Sequence, residues 1–281
     1  MRLLNDISRE KDAMAVVTAL TSAFEGIASM HISQIKDKVL RSQKFFDELW
    51  RIYRQIRVDT SFHFGRHTKQ IIPKQLMILI TAEGSFSGDI DERLIDKALA
   101  GYSPQKNDIL VIGSHGAVQL SQRDVPFIAS FKLPDLDEGV DVEPIIAHVQ
   151  KYASTTCFYP AYVSLMSQSI KSIELSVEVA ERGKNVTTGD EIISERDYIF
   201  EPSTHEVVDH LERSMTQIMI GEVILEAKLA QYASRFRAMS AAHDKATSTF
   251  RDLTKSYNRA RRLQKDERLK EILNGLRKVY P

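Results

Sequence analysis

A chain of 281 residues, 43% hydrophobic and 27% charged, carries enough apolar material for one sizeable core plus an extended element, and is too evenly mixed to be disordered. Its 38 basic residues balance its 38 acidic ones, which excludes a nucleic-acid or anionic-membrane binder acting through global charge; an electrostatic partner must meet a local patch. The single Cys157 excludes an intramolecular disulfide and fits a reducing compartment. The charged start MRLLNDISREKDAM does not read as a secretory leader, and no unbroken apolar run of about 18 residues suggests a membrane span.

From Asn5 to about Arg57 there is no proline and one glycine, Gly26, while Ile7, Met14, Val17, Phe24, Ile35, Phe45, Leu49, Ile52 and Ile56 recur at helical spacing. This predicts a long helix. Its first half is rich in small residues (Ala13, Ala15, Ala19, Ser22, Ala23, Ala28), which let a second helix axis come close. The basic segment Thr60 to Pro73, with Gly65, reads as a mobile connection. His63 and His67 within it are four apart, but Gly65 between them weakens a helix and no carboxylate accompanies them, so a solvated loop is expected rather than a metal site.

The middle of the chain changes rhythm. Leu76 to Thr81 and Ile109 to Gly113 are short β-branched runs with a helical Asp91 to Ala100 between them, as in a βαβ unit. A third strand is expected over Phe127 to Phe131 and a helix over Val142 to Tyr152. Cys157 to Lys171, Ile173 to Ala180 and Tyr198 to Glu201 look strand-like, so the sheet should be mixed. The Thr81 to Asp91 loop (TAEGSFSGDID) is where a phosphate would lie in a nucleotide site, yet Gly84 and Gly88 match neither GxGxxG nor the Walker pattern, and Phe86 stands where a nucleophile elbow needs serine. A tight turn is expected. His115, after the second strand, has no paired nucleophile to make it a catalytic base.

From Ser203 the chain reads as one helix of about 70 residues, roughly 105 Å at 1.5 Å per residue. It opens on a capping box of Ser203 and Glu206 just after Pro202, and meets no further proline until Pro281. Leu225, Leu229, Tyr232, Phe236, Met239, His243, Ala246, Phe250, Leu253, Tyr257 and Ala260 alternate four and three apart, the seam of a left-handed coiled coil, with His243 as a polar register-setting position. Between Lys255 and Lys278, nine Lys or Arg face three Asp or Glu, a net charge of nine minus three, +6. There the seam fails, and Leu269, Ile272, Leu273, Leu276 and Val279 resume in a new phase.

A stripe of this kind needs a partner, and the natural one is the N-terminal helix of the same chain. A folded middle between them makes the pair antiparallel. The expected fold is α/β plus α: a long antiparallel two-helix coiled coil formed by residues 1–59 and 203–281, with a Rossmann-like α/β domain over residues 60–202.

The last third resembles the gamma subunit of F-type ATP synthases. That family steps into its last helix through Tyr-x-Phe/Tyr-Glu-Pro, here Tyr198, Ile199, Phe200, Glu201 and Pro202. Its Arg-Met-x-Ala-Met-x-x-Ala-x-Asp signal is matched by Arg235, Phe236, Ala238, Met239, Ala242 and Asp244, and its Leu-Thr-x-x-Tyr-Asn-x-Ala-Arg signal by Leu253, Thr254, Tyr257, Asn258, Ala260 and Arg261. Ile80 to Asp91 is similar, without gaps, to the family's strand and loop Ile-Thr-Ser-Asp-Arg-Gly-Leu-Cys-Gly-Gly-Leu-Asn, so the resemblance covers most of the chain.

The resemblance implies a non-catalytic central-stalk rotor without a cofactor or metal. Its coiled coil would turn inside a hexamer of alpha and beta subunits, its foot would rest on the c-ring, and an epsilon subunit would pack beside the foot. The location implied is the cytoplasmic face of a bacterial plasma membrane, as a peripheral protein without membrane insertion and without nucleic acid. Carried over residue by residue, Tyr198, Phe200 and Glu201 would lie by the c-ring loops. Arg261, Arg262, Lys265 and Asp266 would face the lower part of the alpha/beta head, and Leu273, Leu276 and Val279 would turn in an apolar collar. Departures mark a divergent member: where the family follows Ala-Arg with Gln-Ala-x-Ile-Thr, this chain has Arg262, Leu263, Gln264, Lys265 and Asp266, and the family's N-terminal helix motif is matched only by Val17, Thr18, Ala19 and Leu20. The competing expectations are an unrelated coiled-coil adaptor, which would purify apart from any ATPase head, and a nucleotide-dependent enzyme, which lacks its phosphate loop here.

Overall fold

The computed structural model describes residues 4–55, 72–84, 86–133, 142–175, 201 and 204–279. In chain order these form α1 (Leu4–Gln55), β1 (Ile72–Ile80), α2 (Ile90–Leu99), β2 (Asn107–Ile112), α3 (Ser114–Gln122), β3 (Ala129–Phe131), α4 (Glu143–Val149), β4 (Tyr152–Tyr162), β5 (Gln168–Glu174) and α5 (Thr204–Val279). Two compact units result, one of Met1–Ala28 with Phe236–Pro281 and the other of Ser29–Arg235, and α1 and α5 contribute to both.

The second unit is built around a sheet of order β3-β2-β1-β4-β5, parallel except for the antiparallel edge strand β5. β1 is central, which is why Leu76 to Ile80 is an unbroken apolar run rather than an alternating one: both of its faces are covered. Met77 and Leu79 point to one side, where Leu94, Ile95 and Ala98 of α2 and Leu120 of α3 meet them. Leu76, Ile78 and Ile80 point to the other, against Ile145, Ile146 and Val149 of α4 and Met215, Met219, Ile220, Val223, Ile224 and Ala227 of α5. The long last helix is therefore part of the α/β core from Met215 to Ala227. Full burial of each such aliphatic side chain stabilises by about 1.5–3 kcal/mol.

Several elements differ from their sequence-based expectation, each for a local reason. β1 begins at Ile72, inside the segment read as a connection, and takes in Pro73 at a register shift between Ile72 and Gln75, where the missing N–H costs no ladder bond. The continuous strand expected from Cys157 to Lys171 is a hairpin, turned where Ser164 and Ser167 bond to each other: Ser164 N–H reaches Ser167 O at 2.9 Å and Ser167 N–H reaches Ser164 Oγ at 3.1 Å. α4 ends at Val149, and Tyr152 already belongs to β4, while β3 is confined to Ala129–Phe131. α3 was not expected at all. His63, His67, Tyr198, Phe200 and Ser203 lie outside the described residues, as does the chain beyond Leu175 that was read as continuing a strand to Ala180.

In the first unit, the covered positions of α1 are Leu4, Ile7, Ser8, Lys11, Met14, Ala15, Thr18, Thr21, Glu25 and Ala28. Leu4, Lys11, Thr18 and Glu25 are seven apart, as are Ile7, Met14, Thr21 and Ala28. Val17 and Phe24, which the apolar spacing puts on the buried stripe, are instead 43% and 36% exposed, with Val16, Leu20 and Ile27 exposed beside them. By length and composition Leu4–Val39 is apolar enough to cross a membrane, although no unbroken apolar run marks it. Its covered line carries Lys11, Thr18, Thr21 and Glu25, the reverse of a lipid-facing helix.

Candidate functional site

The residues singled out by the sequence fall on two surfaces: the carboxyl edge of the sheet, where α/β folds bind ligands, and the far part of α5. At the first, Gly88 (φ 70) and the non-glycine Phe86 (φ 71) adopt left-handed backbone, giving the tight turn expected of the β1–α2 loop. Its surroundings are occupied by the chain's own side chains. Asp91, fully buried, accepts from Ala82 N–H at 3.2 Å and from Ser87 Oγ at 3.3 Å. The Glu83 carboxylate accepts from Ser114 N–H, at the start of α3, at 2.9 Å and from Leu133 N–H at 3.3 Å. Thr81 Oγ1 accepts from Gly116 N–H at 3.0 Å and lies 3.1 Å from Ile112 O. Donors that would cradle a phosphate are thus already bonded to carboxylates and a hydroxyl, and added negative charge would be repelled.

Thr81 is the knot of this edge. Thr81→Val keeps the shape but leaves the Gly116 N–H buried without an acceptor, so a loss of about 1–3 kcal/mol is expected in urea unfolding of the full chain. His115, unassigned in the sequence reading, has its Nδ1 2.6 Å from Asp91 Oδ2. The hydrogen bond to Asp91 raises its pKa above the ordinary 6.5, against an opposing effect of burial. Cys157 is fully buried, and burial pushes its thiol up to about 12, which makes it an inert core residue.

On α5 the residues proposed from the sequence separate by position. Leu229 and Met239 are buried; Leu225, Tyr232, Phe236, His243, Phe250, Leu253 and Tyr257 are half-buried. In the first unit, His243 Nδ1 lies 3.2 Å from Thr18 O and 3.5 Å from Thr21 Oγ1, and the Lys11 ammonium lies 4.7 Å from the Tyr257 ring centroid. In the second, the His31 and Tyr232 rings are 4.8 Å apart. Among the covered α1 positions of the first unit, Ser8, Lys11, Thr18, Thr21 and Glu25 are polar, which an apolar pattern does not reveal; the seven-residue spacing of Lys11, Thr18 and Glu25 could have.

From Arg261 to Leu276 every residue is exposed. Arg261, Lys265 and Arg268 make one stripe at helical spacing, and Leu269, Ile272, Leu273 and Leu276, each more than half exposed, make an adjoining apolar one. Arg262 and Asp266 are exposed beside them. Val279 is the last residue of α5, its side chain outside those described, and Glu201 is exposed.

The family model for ATP synthase matches residues 4–278. Among curated relatives, an ATP synthase gamma chain of Chlorobium phaeobacteroides (strain BS1) is 24% identical and one of Halothermothrix orenii is 26% identical, each match covering 98% of both chains. Among solved structures, a chain of the Euglena gracilis mitochondrial ATP synthase (OSCP/F1/c-ring, rotational state 3) shares the fold with a TM-score of 0.67 at 11% identity, covering 99% of this chain and 94% of that one. A chain of the same organism's ATP synthase rotor gives 0.63 at 13% identity over 93% and 98%.

Proposed function

This chain belongs to the ATP synthase family, and from that membership we propose that it is the gamma subunit, the central-stalk rotor of an F-type ATP synthase. The observation that carries the reading is end-to-end similarity to gamma chains, with neither partner of the match left uncovered. The subunit is non-catalytic. It couples rotation of the c-ring to conformational cycling of the catalytic hexamer, because an asymmetric axle favours a different state in each catalytic subunit in turn.

The division into an N-terminal helix (1–59), an α/β foot (60–202) and a C-terminal helix (203–281), with the outer two wound as an antiparallel coiled coil, is part of this proposal. It is supported by the seven-residue spacing of covered positions on α1 and by pairs that descend on one helix as they ascend on the other, Lys11 with Tyr257 and Thr18 with His243. Arg261, Arg262, Lys265 and Asp266 face the alpha and beta subunits, Leu273, Leu276 and Val279 turn in their upper collar, and Tyr198, Phe200 and Glu201 rest by the c-ring beside epsilon. The complex sits on the cytoplasmic face of a bacterial plasma membrane, and its coupling ion, proton or sodium, is set by the c subunits.

Co-expression with the alpha and beta subunits of the same organism tests the assignment. A particle containing all three chains, with ATPase activity that declines when this chain is withheld, is expected. Purification of this chain alone while a complete and fully active hexamer forms without it would return the adaptor reading.

A further inference from the structure

We propose that Asp91, His115 and Gln119 form a proton-operated latch that sets how firmly the β1–α2 loop holds α5. The latch is a continuous chain of bonds inside the second unit. His115 Nδ1 meets Asp91 Oδ2, and Asp91 in turn accepts from Ala82 N–H and Ser87 Oγ. The carbonyl of Ser87 accepts from the buried hydroxyl of Ser234 on α5 at 2.7 Å, and the Gly84 carbonyl lies 3.4 Å from Arg235 Nη2. The same short loop carries the left-handed Phe86, a conformation that persists only while neighbouring bonds impose it.

The far side of the imidazole shows how a proton is read. His115 Nε2 lies 3.3 Å from Gln119 Nε2, while Gln119 Oε1 is buried and without a hydrogen-bond partner among the described residues. A neutral ring donates from Nδ1 to Asp91 and accepts the Gln119 amide at Nε2. An imidazolium has two N–H groups. Turning the Gln119 amide by half a revolution then brings its oxygen to the second of them, so the ring's far nitrogen is paired in both states and the amide reports which is present.

The charged group bonded to the ring is Asp91, and the other charged groups of this edge are engaged elsewhere. Asp91 stands on α2, with Asp89 at its head paired to Arg93 at 4.0 Å; Glu83 caps the start of α3; and Arg235 of α5 reaches the loop at Gly84. The Asp91 carboxylate favours the imidazolium. Because the folded-state pKa of His115 is raised, the hold is strongest below about 6.5 and weakens as pH rises through the folded value, where the charge-assisted bond to Asp91 becomes one from a neutral ring.

The test is amide hydrogen exchange on the full-length chain at about pH 5.5 and about pH 8.5, with protection factors corrected for intrinsic rate. Protection of residues 82–88 and 228–236 is expected to be several-fold higher at the acid pH. His115→Gln is expected to flatten that step, and Gln119→Leu, at a partly exposed helix position, to shrink it without loss of the fold. Equal protection at the two pH values, or a step that survives His115→Gln, overturns the latch. These contacts lie within the α/β domain and the base of α5, so the outcome does not depend on the rotor assignment.

Discussion

Replacing Gly113 with alanine is expected to cost about 2–5 kcal/mol or to prevent the α/β domain from folding. Gly113 joins β2 to α3 with φ at 105, in the region that side chains rarely adopt, and a Cβ built there falls 2.2 Å from the Thr81 carbonyl oxygen and 2.7 Å from its carbon. That obstacle is backbone at the end of the central strand. Moving Gly113 away would also break its own N–H bond to Phe131 O at 2.8 Å. Denaturant unfolding of Gly113→Ala measures the loss, and Gly275→Ala provides the contrast. At position 275 in α5 nothing lies within 4 Å of an added Cβ, so the better helix former should be neutral or stabilise by up to about 1 kcal/mol. Equal stability of the two variants would mean that the β2–α3 corner is looser than its geometry implies.

The largest functional effect is expected from reversing the basic stripe. Arg261→Glu, Arg262→Glu and Lys265→Glu together change the charge of residues 255–278 by three times minus two, taking it from +6 to zero. All three side chains are exposed on a helix, so helicity and thermal unfolding of the free chain should hardly change. Binding to the alpha/beta hexamer should weaken about 10- to 100-fold at low salt and lose most of its salt dependence, because steering by a local patch is what ionic strength screens. Affinity measured at two salt concentrations decides the matter; an unchanged affinity with an unchanged salt slope would remove the stripe from the interface.

The sequence was most readable where one physical requirement dominated. Leu76 to Ile80 must be apolar on both faces, and Leu225 to Tyr257 must repeat at 3.5 residues, so a doubly covered strand and a long partnered helix follow from the residues alone. Reading failed where tertiary contact overrode local pattern. α3 holds Gly116 and few apolar positions because Thr81 presses so closely that a Cβ at Gly116 would come within 2.4 Å of Thr81 Oγ1; the weak helix signal is the imprint of that approach. On α1 the apolar spacing misled in part, since Val17 and Phe24 are exposed while Thr18, Thr21 and Glu25 are covered, although Ile7 and Ile35 are buried. The pairing of His115 with Asp91 joins positions 24 residues apart through a sheet edge, and no motif announces it.

The contact between Thr21 and His243 spans 222 residues of chain. At roughly 5–20 residues per second of synthesis, the first helix waits on the order of 10–45 seconds before the segment it touches has been made. An unaccompanied helix is marginal in water, and Ile7, Met14 and Ala28, covered in the finished protein, lack their cover throughout that wait. Strands β1 to β5 lie together between residues 72 and 174 and can pair long before. Birth order is thereby built in: sheet early, zipper late, with a nascent stage in which a greasy amino-terminal segment depends on a chaperone or on prompt assembly to escape clumping.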